Sequence, residues 1–177
     1  AAAALASIFG LMNLFARSLG GLASDLLFKS FGFPGRLWVQ YFTLHFAALL
    51  LLCFGFVESD KDWLLALVVL VVFSLFVQMA EGTSYAIVPF MIPEQLACVS
   101  ALVAAGGNLG AVVALWCFYT PLGPIETLLP YKVHAAYVFF SALLSGVYYW
   151  PDKGGLFLGP MEGFRQRDGS LARVVPC

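Results

Sequence analysis

Long apolar stretches separated by short polar segments dominate the pattern of this chain. Five stretches reach the roughly 20 apolar residues that a helix needs to cross a bilayer. They cover residues 1–27, 37–57, 63–90, 96–119 and 133–150. Because backbone groups in lipid must bond within their own segment, runs of this length form helices there. The pattern therefore predicts an all-α, polytopic membrane helix bundle over residues 1–150.

The last segment, residues 151–177, is richer in charge and glycine, and we expect a loosely ordered extension. Basic residues concentrate in the cytosolic loops of membrane proteins, which fixes the expected orientation. If the loop after the first stretch is cytosolic, six basic residues fall inside and two outside. The inside set is Lys29, Arg36, Lys153, Arg165, Arg167 and Arg173, and the outside pair is Lys61 and Lys132. The tail is therefore predicted to be cytosolic.

Composition supports the membrane assignment and excludes several classes of function. Hydrophobic residues make up 62% of the chain and charged residues 11%, against about 25% charged residues in soluble domains. A net charge of −1 gives no electrostatic reason to bind nucleic acid. No nucleophile elbow, zinc-binding helix, phosphate-binding loop or metal-ligand cysteine spacing is present, so we expect neither an enzyme nor a cofactor. No basic region precedes the first apolar stretch, so we expect no signal peptide and interpret the chain as a piece whose earlier segments are missing.

Arg17 stands out because it is a charge inside the first apolar stretch. At 1.5 Å per residue it lies roughly 12 Å from Asp25, which marks the aqueous end of the predicted helix. A charge at that depth costs at least about 2.5–3.5 kcal/mol, so it faces a cavity, an ion path or a partner charge. Gly10, Asn13 and Arg17 recur at helical spacing and form one polar face. We interpret Arg17 and Asn13 as an anion site; pairing with a structural acid, or a side chain that reaches the interface, remains the alternative.

The segment after Arg17 carries a second motif, Gly21-x-x-x-Asp25, followed by Gly35-Arg36. It resembles the signature loop of the major facilitator superfamily. The resemblance implies that the glycine lets two helices approach closely. It also implies that the aspartate caps a helix, or pairs with the arginine and so forms a latch that holds the cytosolic side closed. The chain departs from the pattern because more residues separate Asp25 from Arg36. A generic Asp–Arg turn between two helices is the alternative.

The fourth stretch contains a glycine-rich run around one asparagine, formed by Gly106, Gly107, Asn108 and Gly110. This run resembles the nitrate signature of the nitrate/nitrite porter family. Residues 78–90, which include Glu81, are similar to the segment that precedes this signature in eukaryotic high-affinity nitrate transporters, and residues 15–21 match the family around Arg17. The three matches occur in the family's order. Without them, a Gly-x-x-x-Gly spacing would indicate helix packing alone.

The resemblance implies the C-terminal half of a twelve-helix transporter, with helices eight to twelve present. It implies secondary transport of nitrate, and of nitrite as a second substrate, by proton-coupled uptake across the plasma membrane with alternating access. Arg17 would contact the anion, and Asn13, Gly106, Gly107 and Asn108 would line its site. The expected partners are the anion, protons, the lipid bilayer, the missing N-terminal half and an accessory membrane subunit.

The same resemblance gives the motif residues gating or structural roles. Gly21, Asp25, Arg36 and Gly110 belong to this group, and Glu81 is expected to pair with Arg36 or another loop base, with proton carriage left open. The chain alone is expected to be inactive. Two alternatives stay open: a major facilitator porter for another small anion, and an integral membrane subunit that uses Arg17 as an assembly contact.

Overall fold

Helices make up nearly all of the part of the chain described by this computed structural model, residues 2–57 and 62–161. The five main helices are α1 (Ala2–Phe31), α2 (Phe33–Phe54), α3 (Trp63–Ile87), α4 (Leu96–Ala114) and α5 (Leu129–Leu144). Short 3₁₀ turns follow α3 (Val88–Phe90), precede α4 (Pro93–Gln95) and follow α5 (Ser145–Val147). A π-helical segment (Leu115–Tyr119) and a final turn (Thr120–Leu122) extend α4. The predicted all-α membrane helix bundle is confirmed.

Three helical segments of the described residues are long and apolar enough to cross a bilayer, namely Phe33–Phe54, Trp63–Phe90 and Pro93–Leu122. Helix α1 has 30 residues but carries Arg17, Asp25 and Lys29. Helix α5 has 16 residues and starts at Leu129 rather than at 133, because Pro130 is tolerated in its first turn. That α1 and α5 also cross the membrane therefore stays a prediction.

A one-residue turn at Gly32 joins α1 to α2. Gly32 has φ 65°, in the left-handed region that glycine enters without steric cost, and its N–H donates to the carbonyl of Phe28 at 2.8 Å. Pro34 lies in the first turn of α2, where its missing N–H is not needed. Helix α1 thus runs to Phe31, past the predicted end at 27, and the extra residues between Asp25 and Arg36 are helical rather than a loose loop.

Helices α1, α2 and α3 pack against one another, and α5 packs on α2. The apolar core forms around Phe33, Leu37, Ile87 and Leu156. Helix α4 contrasts with this group: within the described chain only Val99 and Ala114 are buried along it. The long, apolar α4 therefore presents nearly all of its surface away from the other described helices.

The beginning of the predicted tail is ordered. Tyr149–Trp150 (β1) pairs antiparallel with Gly154–Gly155 (β2), and Leu156 enters the core beside Phe33. Burial of Leu156 and the φ of 84° at Gly154 explain why this segment turns back instead of extending loosely. The last apolar residues of the predicted stretch 133–150 are thus strand rather than helix, and the remaining tail, residues 162–177, lies outside the described residues.

Candidate functional site

Arg17 forms an ion pair with Glu81, and this pair joins the middle of α1 to α3. Nη2 of Arg17 lies 2.6 Å from Oε2 of Glu81, and each side chain is 43% exposed. The expectation that Glu81 pairs with Arg36 or another loop base is not met, since its partner belongs to the interior of α1. This contact agrees with the alternative in which Arg17 pairs with a structural acid. Both side chains are nevertheless exposed enough to remain accessible.

Glycines set the spacing of α1 and α3 at this pair. A Cβ added to Gly82 would lie 2.0 Å from the carbonyl oxygen of Arg17, and a Cβ added to Gly20 would lie 2.2 Å from that of Met79. Both distances are far below van der Waals contact, so the two backbones can cross this closely only because these residues lack side chains. The motif glycine Gly21 has no atom within 4 Å of its added Cβ. The glycine of α1 that permits the close approach is therefore Gly20, one residue before the motif glycine.

Each member of the ion pair lines a different cleft. An open groove of about 390 Å³ on α1 is lined by Gly10, Asn13, Leu14, Arg17 and Ser18. A cleft of about 480 Å³ between α3 and α4 is lined by Val77, Glu81, Ser84, Tyr85, Val103, Ala104, Gly107 and Asn108. Arg17 lines the first cleft and Glu81 the second. Through this pair the structure connects the predicted residues Asn13 and Arg17 with Gly107 and Asn108.

The glycine-rich run of α4 divides between two faces. Gly107 and Asn108 line the α3–α4 cleft, whereas Gly106 and Gly110 do not. Among the described residues, no atom lies within 4 Å of a Cβ added to Gly106, Gly107 or Gly110. Helix packing within the described chain therefore does not explain these glycines. Gly106 and Gly110 expose bare backbone on the uncovered side of α4.

A buried polar network between α2 and α3 lies next to the site, and the sequence analysis did not identify it. Gln40 is buried and donates through Nε2 to Oγ of Ser84 at 3.0 Å, while its Oε1 accepts from the hydroxyl of Thr83. Ser84 also lines the α3–α4 cleft. A glutamine in an apolar stretch, one helical turn after Arg36, is the signal that could have indicated it.

The predicted ion pair between Asp25 and Arg36 is present in the structure, and its role as a cytosolic latch stays a prediction. Nη2 of Arg36 lies 2.6 Å from Oδ1 of Asp25, and its Nη1 donates to Oγ of Ser24 at 3.2 Å. The guanidinium carbon stands 4.5 Å from the ring centre of Phe28 and 5.0 Å from that of Phe90. Only 10% of the Arg36 side chain is exposed, against 57% for Asp25. The arginine is thus enclosed, and the carboxylate covers its outer end.

His45 contributes to packing rather than to the site. Its Nδ1 bonds to the carbonyl of Tyr41 at 2.7 Å, and its ring meets that of Phe139 on α5. No group of three or more potential metal ligands occurs among the described residues. His45 lines neither of the two clefts described above.

Comparisons with known proteins indicate a transporter family. The chain is 37% identical over 171 residues to Nitrate transporter 2.2 of Chlamydomonas reinhardtii, covering 94% of this chain and 33% of the relative. It is 35% identical over 157 residues to High affinity nitrate transporter 2.5 of Arabidopsis thaliana, covering 88% and 30%. This chain belongs to the family of these nitrate transporters. The relatives are named as transporters, not enzymes, in agreement with the expectation of a non-enzymatic membrane protein.

These matches cover only part of the length of each relative. The chain spans about a third of the length of the curated relatives it matches. A shorter match, 34% identical over 113 residues and covering 62% of this chain and 21% of the relative, is to Elsinochrome transporter 1 of Elsinoe fawcettii. No family model matches the chain, and no solved structure matches it. The family is shown by sequence similarity, and the site geometry comes from the chain's own structure.

Proposed function

We propose that this chain is the C-terminal half of a secondary active transporter of nitrate, with nitrite as a second substrate. The observation that carries the proposal is Arg17, a half-exposed cation at the middle of α1, between clefts lined by Asn13 and Asn108. Nitrate is planar and monovalent, so the planar donor fork of a guanidinium fits it better than an ammonium does. The names of the relatives supply the choice of anion.

The uncovered surface of α4 supports the proposal that a second half of the transporter packs against this chain. Gly106 and Gly110 expose backbone that no described residue approaches, and a midplane anion site in such transporters lies between two halves. We propose that the anion binds between this chain and a preceding half, and that the halves rock to alternate access. The chain alone would then transport nothing, because it lacks the body against which it moves.

The proposal also covers coupling and placement. Uptake is coupled to protons, the protein resides in the plasma membrane, and the tail lies in the cytosol, as the six-to-two distribution of basic residues supports. An accessory membrane subunit is a further partner of the assembled protein.

The decisive experiment is nitrate uptake by the full-length protein carrying Arg17→Lys. Lysine keeps the charge but loses the planar donor fork, and loss of a hydrogen bond to a charged group costs roughly 1.5–3 kcal/mol, which corresponds to about tenfold or more in affinity. We expect uptake at low nitrate to fall by at least that factor while the membrane level stays near that of the wild type. Lys132→Arg is the matched control, because Lys132 pairs with the exposed Glu126 and lines neither cleft, and it should retain uptake.

Two results would overturn the proposal. Uptake by Arg17→Lys close to the wild type at low nitrate would remove Arg17 from the anion site. A lost protein level that accounts for all of the lost uptake would make the Arg17–Glu81 pair a structural contact, which favours the non-transporting subunit. The alternative of transport of another small anion is tested by competition of labelled nitrate uptake by other anions.

A further inference from the structure

Glu81 already binds part of the guanidinium that an anion would bind at Arg17. A carboxylate and nitrate are both planar oxyanions, and both bind a guanidinium through its N–H donors. In the structure the carboxylate of Glu81 already lies 2.6 Å from Nη2 of Arg17. An incoming nitrate must therefore share the guanidinium with Glu81 or displace it.

Sharing is unfavourable because of the charge balance. Arg17 with Glu81 is neutral, whereas Arg17 with Glu81 and nitrate carries one negative charge within a membrane protein, where an uncompensated charge is costly. One proton taken up from the bulk solution on Oε2 of Glu81 removes that charge and releases the Arg17 fork. The released carboxyl group can turn into the α3–α4 cleft, which both Glu81 and Asn108 line.

The surroundings of Glu81 contain few other groups that could take this role. Arg17 faces it from α1, and Tyr85 lines the same cleft one turn along α3. The α4 residues of the cleft are uncharged. On α2, which packs against α3, Arg36 is paired with Asp25, and His45 bonds to Tyr41 and meets Phe139 on α5.

We propose that Glu81 is an internal competitor of the transported anion, and that nitrate binding at Arg17 displaces its carboxylate with uptake of one proton at Glu81. The proposal rests on the proposed function and assigns the proton coupling to a named residue. By reciprocity, a proton that favours nitrate binding must itself be bound more tightly when nitrate is present.

The experiment is nitrate binding to the purified full-length protein as a function of pH. In the wild type, the nitrate dissociation constant should rise with pH, approaching about tenfold per pH unit where Glu81 is ionised, since one proton binds with each anion. Glu81→Gln removes the competing charge and keeps the shape. It should bind nitrate with an affinity close to that of the wild type at low pH, and without the pH dependence.

Glu126→Gln is the matched control, since Glu126 is an exposed carboxylate paired with Lys132 at 2.7 Å. It should retain the pH dependence of the wild type. If Glu81→Gln also keeps that dependence, or loses nitrate binding at every pH with a normal protein level, the inference is wrong. If the wild type itself does not bind nitrate, the proposed function fails, and the two failures are thereby distinguished.

A second measurement uses the wild type alone, so its result does not depend on the folding of a variant. Nitrate added to the protein in a weakly buffered solution with an indicator dye should remove about one proton from solution per anion bound. Chloride, added as a control for ionic strength, should remove none. Binding of nitrate without proton uptake would overturn the inference.

Discussion

Helix α1 carries two ion pairs, one at its middle and one near its end. Both join a guanidinium to a carboxylate at 2.6 Å. They differ in what surrounds the cation: Arg36 is 10% exposed between Phe28 and Phe90, whereas Arg17 is 43% exposed between two clefts. The same contact can therefore fix a structure when it is enclosed, or remain exchangeable when it is open. Burial of the cation, not the pair distance, separates the two roles.

The sharpest test of this difference is truncation of each cation. Arg36→Ala removes the pair and the apolar stem between two rings, so we expect a loss of about 3 kcal/mol, near the lower end for a broken buried pair because Asp25 is exposed. Arg17→Ala should cost about 1 kcal/mol or less, as is usual for an exposed pair. Unfolding of the full-length protein in detergent measures both. Equal losses would show that the environment of the cation does not distinguish the pairs.

The next largest effect should come from the helix crossing that positions Arg17. Gly20→Ala places a methyl group where the carbonyl oxygen of Met79 lies, and we expect a cost near the upper end of about 1–3 kcal/mol. Gly21→Ala is the control on the neighbouring residue, where the added Cβ meets nothing. It should leave stability unchanged or increase it by up to about 1 kcal/mol through helix propensity. Equal behaviour of the two variants in thermal unfolding would contradict the assigned crossing.

An effect smaller than that of Gly20→Ala is expected at the exposed carboxylate of the Asp25–Arg36 pair. Asp25→Asn keeps a hydrogen-bond acceptor for Arg36 but removes the charge, and we expect a cost of about 1–2 kcal/mol. The variant should shift the balance between inward-open and outward-open states, with little change in intrinsic nitrate affinity. Labelling of Ser30→Cys, in a background without native cysteines, reports this shift. Labelling rates identical to those without Asp25→Asn would remove Asp25 from gating.

The sequence predicted the helices well because hydropathy has a direct physical cause in the bilayer. It also identified Arg17, since a charge in an apolar helix needs a compensating environment. It did not predict the partner of Arg17, because the pairing of α1 with α3 depends on two backbone contacts at Gly20 and Gly82 that no local pattern specifies. The motif indicated Gly21 as the glycine of close helix contact, whereas in the structure Gly20 makes that contact.

The ends of the elements were harder to predict for a related reason. The extension of α1 to Phe31 depends on the left-handed turn at Gly32. The hairpin after Trp150 depends on burial of Leu156 against Phe33, a residue distant in sequence. Both outcomes are decided by tertiary contacts, which a hydropathy profile does not contain.

The crossing of α1 and α3 has a consequence for the timescale of events at Arg17. Gly20 and Gly82 each receive a carbonyl of the opposite helix, and these two contacts resist sliding of one helix along the other. A change of partner at Arg17 is therefore a rotation of side chains on a fixed backbone. Such rotations take picoseconds to nanoseconds, whereas collective helix movements take microseconds to milliseconds. The side-chain rotation at Arg17, as distinct from anion entry and proton uptake, would then be complete long before any helix moves.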